Sequence, residues 1–416
     1  MELIITPKRV LCGEKASIQL KGFLPKQKLT INASFQEDEN KIWSSSATFV
    51  CNELGELDLH KAAPLSGSYQ GIEPMGLFVY MKEENSKRGF AFFPKGLDAT
   101  HIKISVIVDD KEVTTEVLKR YLLEPTVTKE ILTVDGLKGT LFLPHKKLNQ
   151  KVVICLSGSG GNLPHERSAI LASHGIASLS LGYFGHEGLP TYLSRVPLEY
   201  FEKVFEFLDK NPYINEKDIA ILGSSRGAEL ALLLASRYTQ IKSVIAYTPS
   251  HTVWSGVGHY KEQNSSTWSY KNKELPFVKC KLSLIKWFEY YFSKKPFELT
   301  SSFICSLKGN IDERAIIPVE NIQGDILLIS GNDDQMWCST LMANKIMSRL
   351  KKYNFPYKYT HLSYKDAGHF ITIPYFPSID KDILLGKRIY AFGGTTLGNL
   401  RASEDSWQKV LDFLKR

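Results

Sequence analysis

Three stretches of the sequence carry residues whose type and spacing could activate an alcohol for attack on a carbonyl carbon. The sharpest is Gly223-Ser224-Ser225-Arg226-Gly227, a G-x-S-x-G pentapeptide. An aliphatic run precedes it and an alanine- and leucine-rich run follows, which sets the serine between a strand and a helix. A turn of that kind is strained and must expose the hydroxyl of Ser225. Its neighbours must therefore be small, and Gly223 and Gly227 supply the room. Ser224 is a competing hydroxyl, but it occupies the wrong place in the motif. The bare pentapeptide also arises by chance in tight strand-to-helix turns; the flanking pattern is what gives it weight.

A serine hydroxyl is a weak nucleophile and needs a base, which needs an orienting acid. On this kind of turn the acid comes next along the chain and the histidine last. Ile326-Leu-Leu-Ile-Ser-Gly331 reads as a strand ending in a glycine turn, and Asn332-Asp333-Asp334 follows. Asp334 is the candidate acid. Residue physics leaves Asp333 open, and a solvated turn aspartate is the plain alternative. Farther on, Gly368-His369 follows an expected strand over Tyr357 to Leu362. His369 would take the Ser225 proton and return it to the leaving group, while Asp334 would hold the imidazole tautomer. The developing oxyanion needs backbone N–H donors. Arg226, next to the nucleophile, is one candidate. Ser159 or Gly160, in the loop Ser157-Gly-Ser-Gly-Gly161, is the other. A phosphate-cradling loop is the rival reading of those glycines, but no Gly-Lys-Ser/Thr follows.

The elements that must position these residues fall into two halves. From Glu2 to about Pro125, Ala16–Leu20, Leu29–Ala33 and Ile102–Val108 alternate apolar and polar residues, the sign of half-buried strands. Gly13, Pro25-Lys26 and Asp109-Asp110 mark turns between them. No convincing amphipathic helix stands out, and an immunoglobulin-like β-sandwich over 1–125 is expected. From 126 to 416 the rhythm alternates strands and helices. Strands are expected over Val152–Leu156, Ile176–Leu181, Ile219–Leu222, Ser243–Tyr247 and Ile326–Ser330. Helices are expected over Glu166–Ser173, Leu198–Leu208 and Ala228–Ala235. Leu198, Phe201, Val204, Phe205 and Leu208 form one apolar stripe. The pattern predicts a mainly parallel sheet flanked by helices. Residues 251–320 interrupt it as an insertion rich in Trp, Tyr and Lys. Trp254, Trp268, Trp287, Tyr290 and Tyr291 could line a tunnel, though ordinary core is the commoner fate of such residues. His165 and Glu166 read as a polar pair at a helix start, and His251 and His259 have no assigned role.

Composition bounds the rest. A chain of 416 residues, 43% hydrophobic and 23% charged, can bury a large core and is not disordered as a whole. A net charge of +8 suits an anionic small ligand and is thin support for nucleic acid. The six cysteines, Cys12, Cys51, Cys155, Cys280, Cys305 and Cys338, form no CxxC pair and no zinc spacing, so reduced thiols are expected. No apolar run approaches the roughly 20 residues that span a bilayer. No signal-peptide core, peroxisomal address or lipidation motif is visible, and the expected location is cytoplasmic. No cofactor or metal is called for.

Taken together, these motifs resemble the type I acyl-CoA thioesterase and bile acid-CoA:amino acid N-acyltransferase family, over nearly the whole chain. Gly67-Ser-Tyr-Gln-Gly-Ile-Glu-Pro-Met-Gly-Leu77 is similar to the family's G-x-F-x-G-L-E-P-M-G-L segment, after a Trp43 stretch like its W-x-S strand. Gly139-Thr-Leu-Phe-Leu-Pro144, Gly158–Gly161, Tyr183–Pro190 with Leu198–Glu202, Gly223–Leu230, Gly331–Trp337, and Gly368-His369 with Pro374–Pro377 match its later motifs in order. The resemblance implies an immunoglobulin-like N-terminal domain and an α/β-hydrolase C-terminal domain, implies hydrolysis of acyl-CoA thioesters, and favours Asp334, the second aspartate, as the acid. Family members that transfer acyl groups to glycine or taurine carry cysteine at the elbow, so Ser225 favours water as acceptor. Arg226 stands where the family usually has lysine. The segment 251–320 does not align, which leaves acyl type open. The alternatives are a carboxylester hydrolase or an acyl-CoA:amino acid N-acyltransferase on the same fold. A non-catalytic binding module would have no reason to keep an acid and a histidine in this order.

Overall fold

The computed structural model describes all residues except 85–91, 93, 95, 133–135, 145–147, 282–287, 289–290, 293–294, 310, 378–381 and 386–387. The chain divides into two compact units, Met1–Glu124 with Thr372–Lys387, and Pro125–Ile371 with Arg388–Arg416. The membership of 372–387 in the first unit has no counterpart in the sequence pattern.

The first unit is built of strands. Lys28–Asp38 and Lys41–Val50 pair antiparallel, and Thr100–Val108 and Lys111–Tyr121 extend the same sheet. A three-stranded sheet holds Glu2–Thr6, Ser17–Lys21 and Leu57–Asp58. Alternation decides the buried face: Leu29, Ile31, Ala33 and Phe35 point inward along one strand. Asp109 and Asp110 both adopt left-handed φ values, 48° and 61°, as a two-residue hairpin turn between right-twisted strands requires. A single helical turn, Gly76–Val79, was not anticipated. Arg120 is buried in this unit, and its Nη1 donates to the Tyr375 carbonyl.

The second unit is a mixed eight-stranded sheet. Its strands in chain order are β1 (Thr128–Leu132), β2 (Lys138–Leu143), β3 (Gln150–Leu156), β4 (Ala177–Gly182), β5 (Ile214–Ser224), β6 (Ile241–Tyr247), β7 (Asp325–Gly331) and β8 (Tyr359–Tyr364). They lie side by side as β1-β2-β4-β3-β5-β6-β7-β8. β2 runs antiparallel to both its neighbours, while β3 to β8 are parallel throughout. The expected strands all form. β1 and β2 are additions, and so are two of the five longer helices: α1 (His165–Ser173), α2 (Glu199–Asp209), α3 (Arg226–Ala235), α4 (Ser339–Lys352) and α5 (Thr396–Leu414). Val152 to Leu156 are fully buried, as cover on both faces of a parallel sheet demands. The stripe on α2 holds, with Phe201, Val204, Phe205 and Leu208 buried. Residues 248–324 are the insertion, lying between β6 and β7. Parallel register matters for function because it brings the loops after β5, β6, β7 and β8 to one edge of the sheet.

Candidate active site

β5 ends at Ser224 and α3 begins at Arg226, so Ser225 is a one-residue corner. Its φ of 56° and ψ of −119° lie where an L-residue is strained. The corner is over-determined by its surroundings. The Ser225 N–H donates to the Tyr247 carbonyl at the end of β6 (2.9 Å), and the Ser225 carbonyl accepts from the N–H groups of Ala228 and Glu229 (2.9 and 3.1 Å). The two flanking glycines permit the approach. A Cβ on Gly223 would sit 2.0 Å from the Gly227 carbonyl oxygen, and one on Gly227 would sit 2.2 Å from the Ser157 oxygen. Ser225 is half-buried, whereas Ser224 is occupied by Arg167, whose Nη1 donates to Ser224 Oγ (2.7 Å). The elbow serine is therefore the available hydroxyl of the two.

The glycine loop after β3 lies against this corner through Gly158, whose Cβ position would be 3.3 Å from Ser225 Cβ and 3.9 Å from its Oγ. Gly158 to Gly161 close a turn, with the Gly161 N–H donating to the Gly158 carbonyl (3.4 Å). Ser159 and Gly160, named from sequence as candidate donors, sit exposed at its tip. The loop is pinned from both sides. Tyr183 donates its hydroxyl to the Ser157 carbonyl (2.6 Å), and His186 Nε2 lies 2.9 Å from the Gly161 carbonyl. Neither partner was legible in the sequence. No hydrogen bond among the described residues uses the backbone N–H of Arg226, as expected at a helix start.

The acid and the histidine meet. His369 Nδ1 lies 2.9 Å from Asp334 Oδ2 and 3.0 Å from Oδ1. The carboxylate that reaches it is that of Asp334. Asp333 is exposed and accepts instead from the Gly394 N–H (2.8 Å) and Gln335 Nε2 (2.9 Å). Asp334 is buried and richly supplied with donors: the N–H groups of Met336 (3.0 Å) and Trp337 (3.1 Å), and the Ser339 hydroxyl (2.6 Å). With a carboxylate on Nδ1, the ring carries its proton there and leaves Nε2 as its acceptor nitrogen. His369 is buried, between the rings of Trp337, Phe370 and Phe392 at 5.9 to 6.0 Å. Its backbone N–H donates to Phe392 (2.8 Å), and Asn399 Oδ1 receives the Gly368 N–H (2.8 Å). Trp337 ties this side towards the elbow: its Nε1 donates to the carbonyl of Thr248, which follows β6 (3.1 Å). Among the described residues no hydrogen bond joins Ser225 Oγ to His369.

The remaining candidates fall elsewhere. Trp254 and Trp268 are fully buried core residues, Tyr291 is exposed, and Trp287 and Tyr290 lie outside the described residues. His165 contacts Thr140 Oγ1 (3.1 Å), and His259 the Tyr192 hydroxyl (3.0 Å). His251 is buried, and that burial pushes its imidazole down to about 3. The six cysteines are free.

Comparison with known proteins places the chain. The family described as "BAAT / Acyl-CoA thioester hydrolase C terminal" matches residues 196–416, and "Acyl-CoA thioester hydrolase/BAAT N-terminal region" matches 13–134. The chain belongs to the acyl-CoA thioester hydrolase/BAAT family. Full-length relatives of this family member carry two kinds of name. A mouse protein called acyl-coenzyme A amino acid N-acyltransferase 1 is 30% identical over 100% of this chain and 97% of its own. A human protein called acyl-coenzyme A thioesterase 2, mitochondrial, is 29% identical over 100% of this chain and 84% of its own. Among solved structures, the acylaminoacyl peptidase of Pyrococcus horikoshii is similar, with a TM-score of 0.43 and 13% identity over 92% of this chain and 70% of that one. No described helix of this family member is long and apolar enough to cross a membrane.

Proposed function

We propose that this family member hydrolyses acyl-CoA thioesters in two steps through an acyl-enzyme on Ser225. The observation that carries the reading is the buried Asp334–His369 contact of 2.9 Å on loops at the same sheet edge as the strained Ser225 corner. In the first step Ser225 Oγ attacks the thioester carbonyl carbon, His369 Nε2 takes the hydroxyl proton, and CoA leaves as the thiol after receiving that proton. In the second step His369 takes a proton from the water that attacks the acyl-serine carbonyl carbon, then gives that proton to Ser225 Oγ as the bond from it to the acyl carbon breaks and the free acid departs. Asp334 stabilises the imidazolium in both steps. The oxyanion is received by the N–H of Arg226 and a second N–H from the Ser159–Gly160 tip of the glycine loop. Catalytic hydrogen bonds commonly tighten only when substrate is seated, and in this reading the bond from Ser225 Oγ to His369 Nε2 forms in that state. The first unit is read as an immunoglobulin-like sandwich that serves as a non-catalytic partner domain, and the substrate as a soluble acyl-CoA.

A second reading has its own support, because relatives at 30% identity are named amino acid N-acyltransferases. Serine rather than cysteine at the elbow favours water: an oxyester intermediate is less reactive towards an amine than a thioester. One experiment separates the readings. Purified protein is given palmitoyl-CoA with and without glycine or taurine, alongside a matched nitrophenyl ester, and free acid, N-acyl product and thiol are quantified. Thiol release with free acid, unaffected by the amines, is the expected result. N-acyl product in the amine arm moves the protein to the transferases, and a large preference for the nitrophenyl ester moves it to the carboxylester hydrolases.

A further inference from the structure

Behind the elbow lies a buried charge pair that the proposed chemistry does not use directly. Arg226 and Glu229 share the first turn of α3, and both are buried, Glu229 with no exposure at all. Arg226 Nη1 donates to Glu229 Oε2 (2.7 Å). Its Nη2 donates to the Ser255 carbonyl (2.6 Å) and also to Thr267 Oγ1. Glu229 Oε1 receives the Trp268 indole N–H (2.7 Å) and the backbone N–H of Trp254 (3.2 Å). Thr267 in turn donates its hydroxyl to the Trp254 carbonyl (2.8 Å). Two separate stretches of the insertion, 254–255 and 267–268, are therefore bolted to the residue that follows the nucleophile.

A buried ion pair is weak evidence for stability, because apolar residues of similar volume often serve as well or better. What such a pair provides, where its donors and acceptors are matched as Nη1, Nη2, Oε1 and Oε2 are here, is a single geometry, although Arg226 Nε has no partner among the described residues. Here the geometry concerns the backbone of Arg226. An oxyanion hole works by holding its donors in place before charge develops, so that no reorganisation is needed at the moment of reaction. The first N–H of a helix has no intrahelical partner and can rock with its turn unless something outside fixes it.

We propose, resting on the reading of Ser225 as nucleophile, that Arg226 and Glu229 are positioning residues through which the insertion fixes the Arg226 backbone N–H as an oxyanion donor. Their side chains do not touch substrate. They act by tethering the first turn of α3 to Trp254, Ser255, Thr267 and Trp268.

The test compares wild type, Arg226→Lys, the double change Arg226→Met with Glu229→Leu, and Ser225→Ala in the full chain. The double change keeps volume and leaves no buried charge unpaired. Each protein is measured for thermal stability, for kcat and KM on palmitoyl-CoA, and for inhibition by two CoA analogues. One is an unreactive thioether. The other is a trifluoromethyl ketone, to whose carbonyl carbon Ser225 Oγ adds, the π pair moving to oxygen and the hydroxyl proton to His369. The double variant leaves the Trp254 and Trp268 N–H groups without their Glu229 acceptor, so it should melt below wild type yet fold, and lose roughly 10- to 100-fold in kcat with KM within about threefold, a share of the loss seen when an oxyanion donor is removed. Trifluoromethyl ketone inhibition should weaken in step with kcat while thioether inhibition stays constant, and Arg226→Lys should recover most of both. A folded double variant with kcat within twofold of wild type overturns the proposal, as does a kcat loss without weaker ketone inhibition. If the double variant does not fold, Thr267→Val removes one tether alone. It should lower kcat and ketone affinity together by several-fold, and an unchanged pair of values overturns the proposal equally. Full turnover by Ser225→Ala would instead remove the nucleophile reading itself, so the two failures are told apart.

Discussion

The two sides of the candidate site are held by different kinds of contact. On the acid side, the donors that surround Asp334 are near neighbours: Met336, Trp337 and Ser339 all lie within five residues of it. On the elbow side, the partners of Arg226 and Glu229 come from 25 to 41 residues away, across the insertion. Local contacts cost little chain entropy, so the Asp334 turn can assemble as soon as β7 ends. Contacts across dozens of residues must first close a long loop, and they form only when the whole insertion is seated. The acid side is thus a local motif awaiting a histidine, while the elbow side is a product of cooperative folding.

The largest expected effect removes the junction of the two sides. Ser225→Ala should lower palmitoyl-CoA hydrolysis on the order of 10⁵-fold with an unchanged melting temperature, measured by thiol release. Turnover near wild type would detach both sides from catalysis. Next comes the acid side. Asp334→Asn should cost on the order of 10⁴-fold in kcat, because the amide favours the wrong imidazole tautomer. Asp333→Asn, at a carboxylate that accepts from Gly394 N–H and Gln335 Nε2 rather than from His369, should stay within about tenfold. Equal losses at 333 and 334 would end the distinction between them.

On the elbow side, Gly227→Ala forces a methyl group to 2.2 Å from the Ser157 oxygen. Urea unfolding should show a loss of roughly 3 kcal/mol, the upper part of the usual overpacking range. An unchanged midpoint would mean that the elbow backbone can retreat from the glycine loop. The last effect is read as a pH slope and concerns acid. His251 opens the insertion, and burial holds its imidazole down to about 3, against 6.5 when exposed. Below about pH 6.5 the unfolded chain binds a proton there that the folded chain refuses. Its contribution is therefore complete above pH 6.5 and is lost as pH falls towards 3, at up to about 1.4 kcal/mol per pH unit. Urea midpoints at pH 7 and pH 4 should converge in His251→Gln relative to wild type. An identical pH slope in the variant would show that acid acts elsewhere.

Much of the site was legible in single residues. Gly223–Gly227 told of a strand-to-helix corner because its glycines have a steric reason, now visible in the 2.0 Å approach of Gly223 to Gly227. Asp333 and Asp334 were inseparable by residue type alone, since adjacent aspartates on a turn differ only in which way the backbone points them. The structure separates them by which one reaches His369. Helix α4 spaces Met342, Ile346 and Leu350 as a buried stripe, but it begins after Cys338 with no side-chain cap to mark its start. Trp268 was correctly read as core, but its indole N–H on Glu229 could not be foreseen, because hydrogen-bond partners far apart in sequence leave no local pattern. The same holds for His186 on the glycine loop and for the membership of 372–387 in the first unit.

From the order of amino acids alone came the alternating and helical rhythms, the elbow, the candidate acid pair, the histidine and the family resemblance, because each depends on neighbours within about a dozen residues. Tertiary structure alone decided which loop residue abuts Ser225 and how the insertion grips the first turn of α3, and it brings Asp334, the aspartate that the resemblance favours, to the imidazole. Those choices rest on distances between segments that only the closed sheet brings together, and a distance of that kind is a property of the packed chain rather than of any stretch within it.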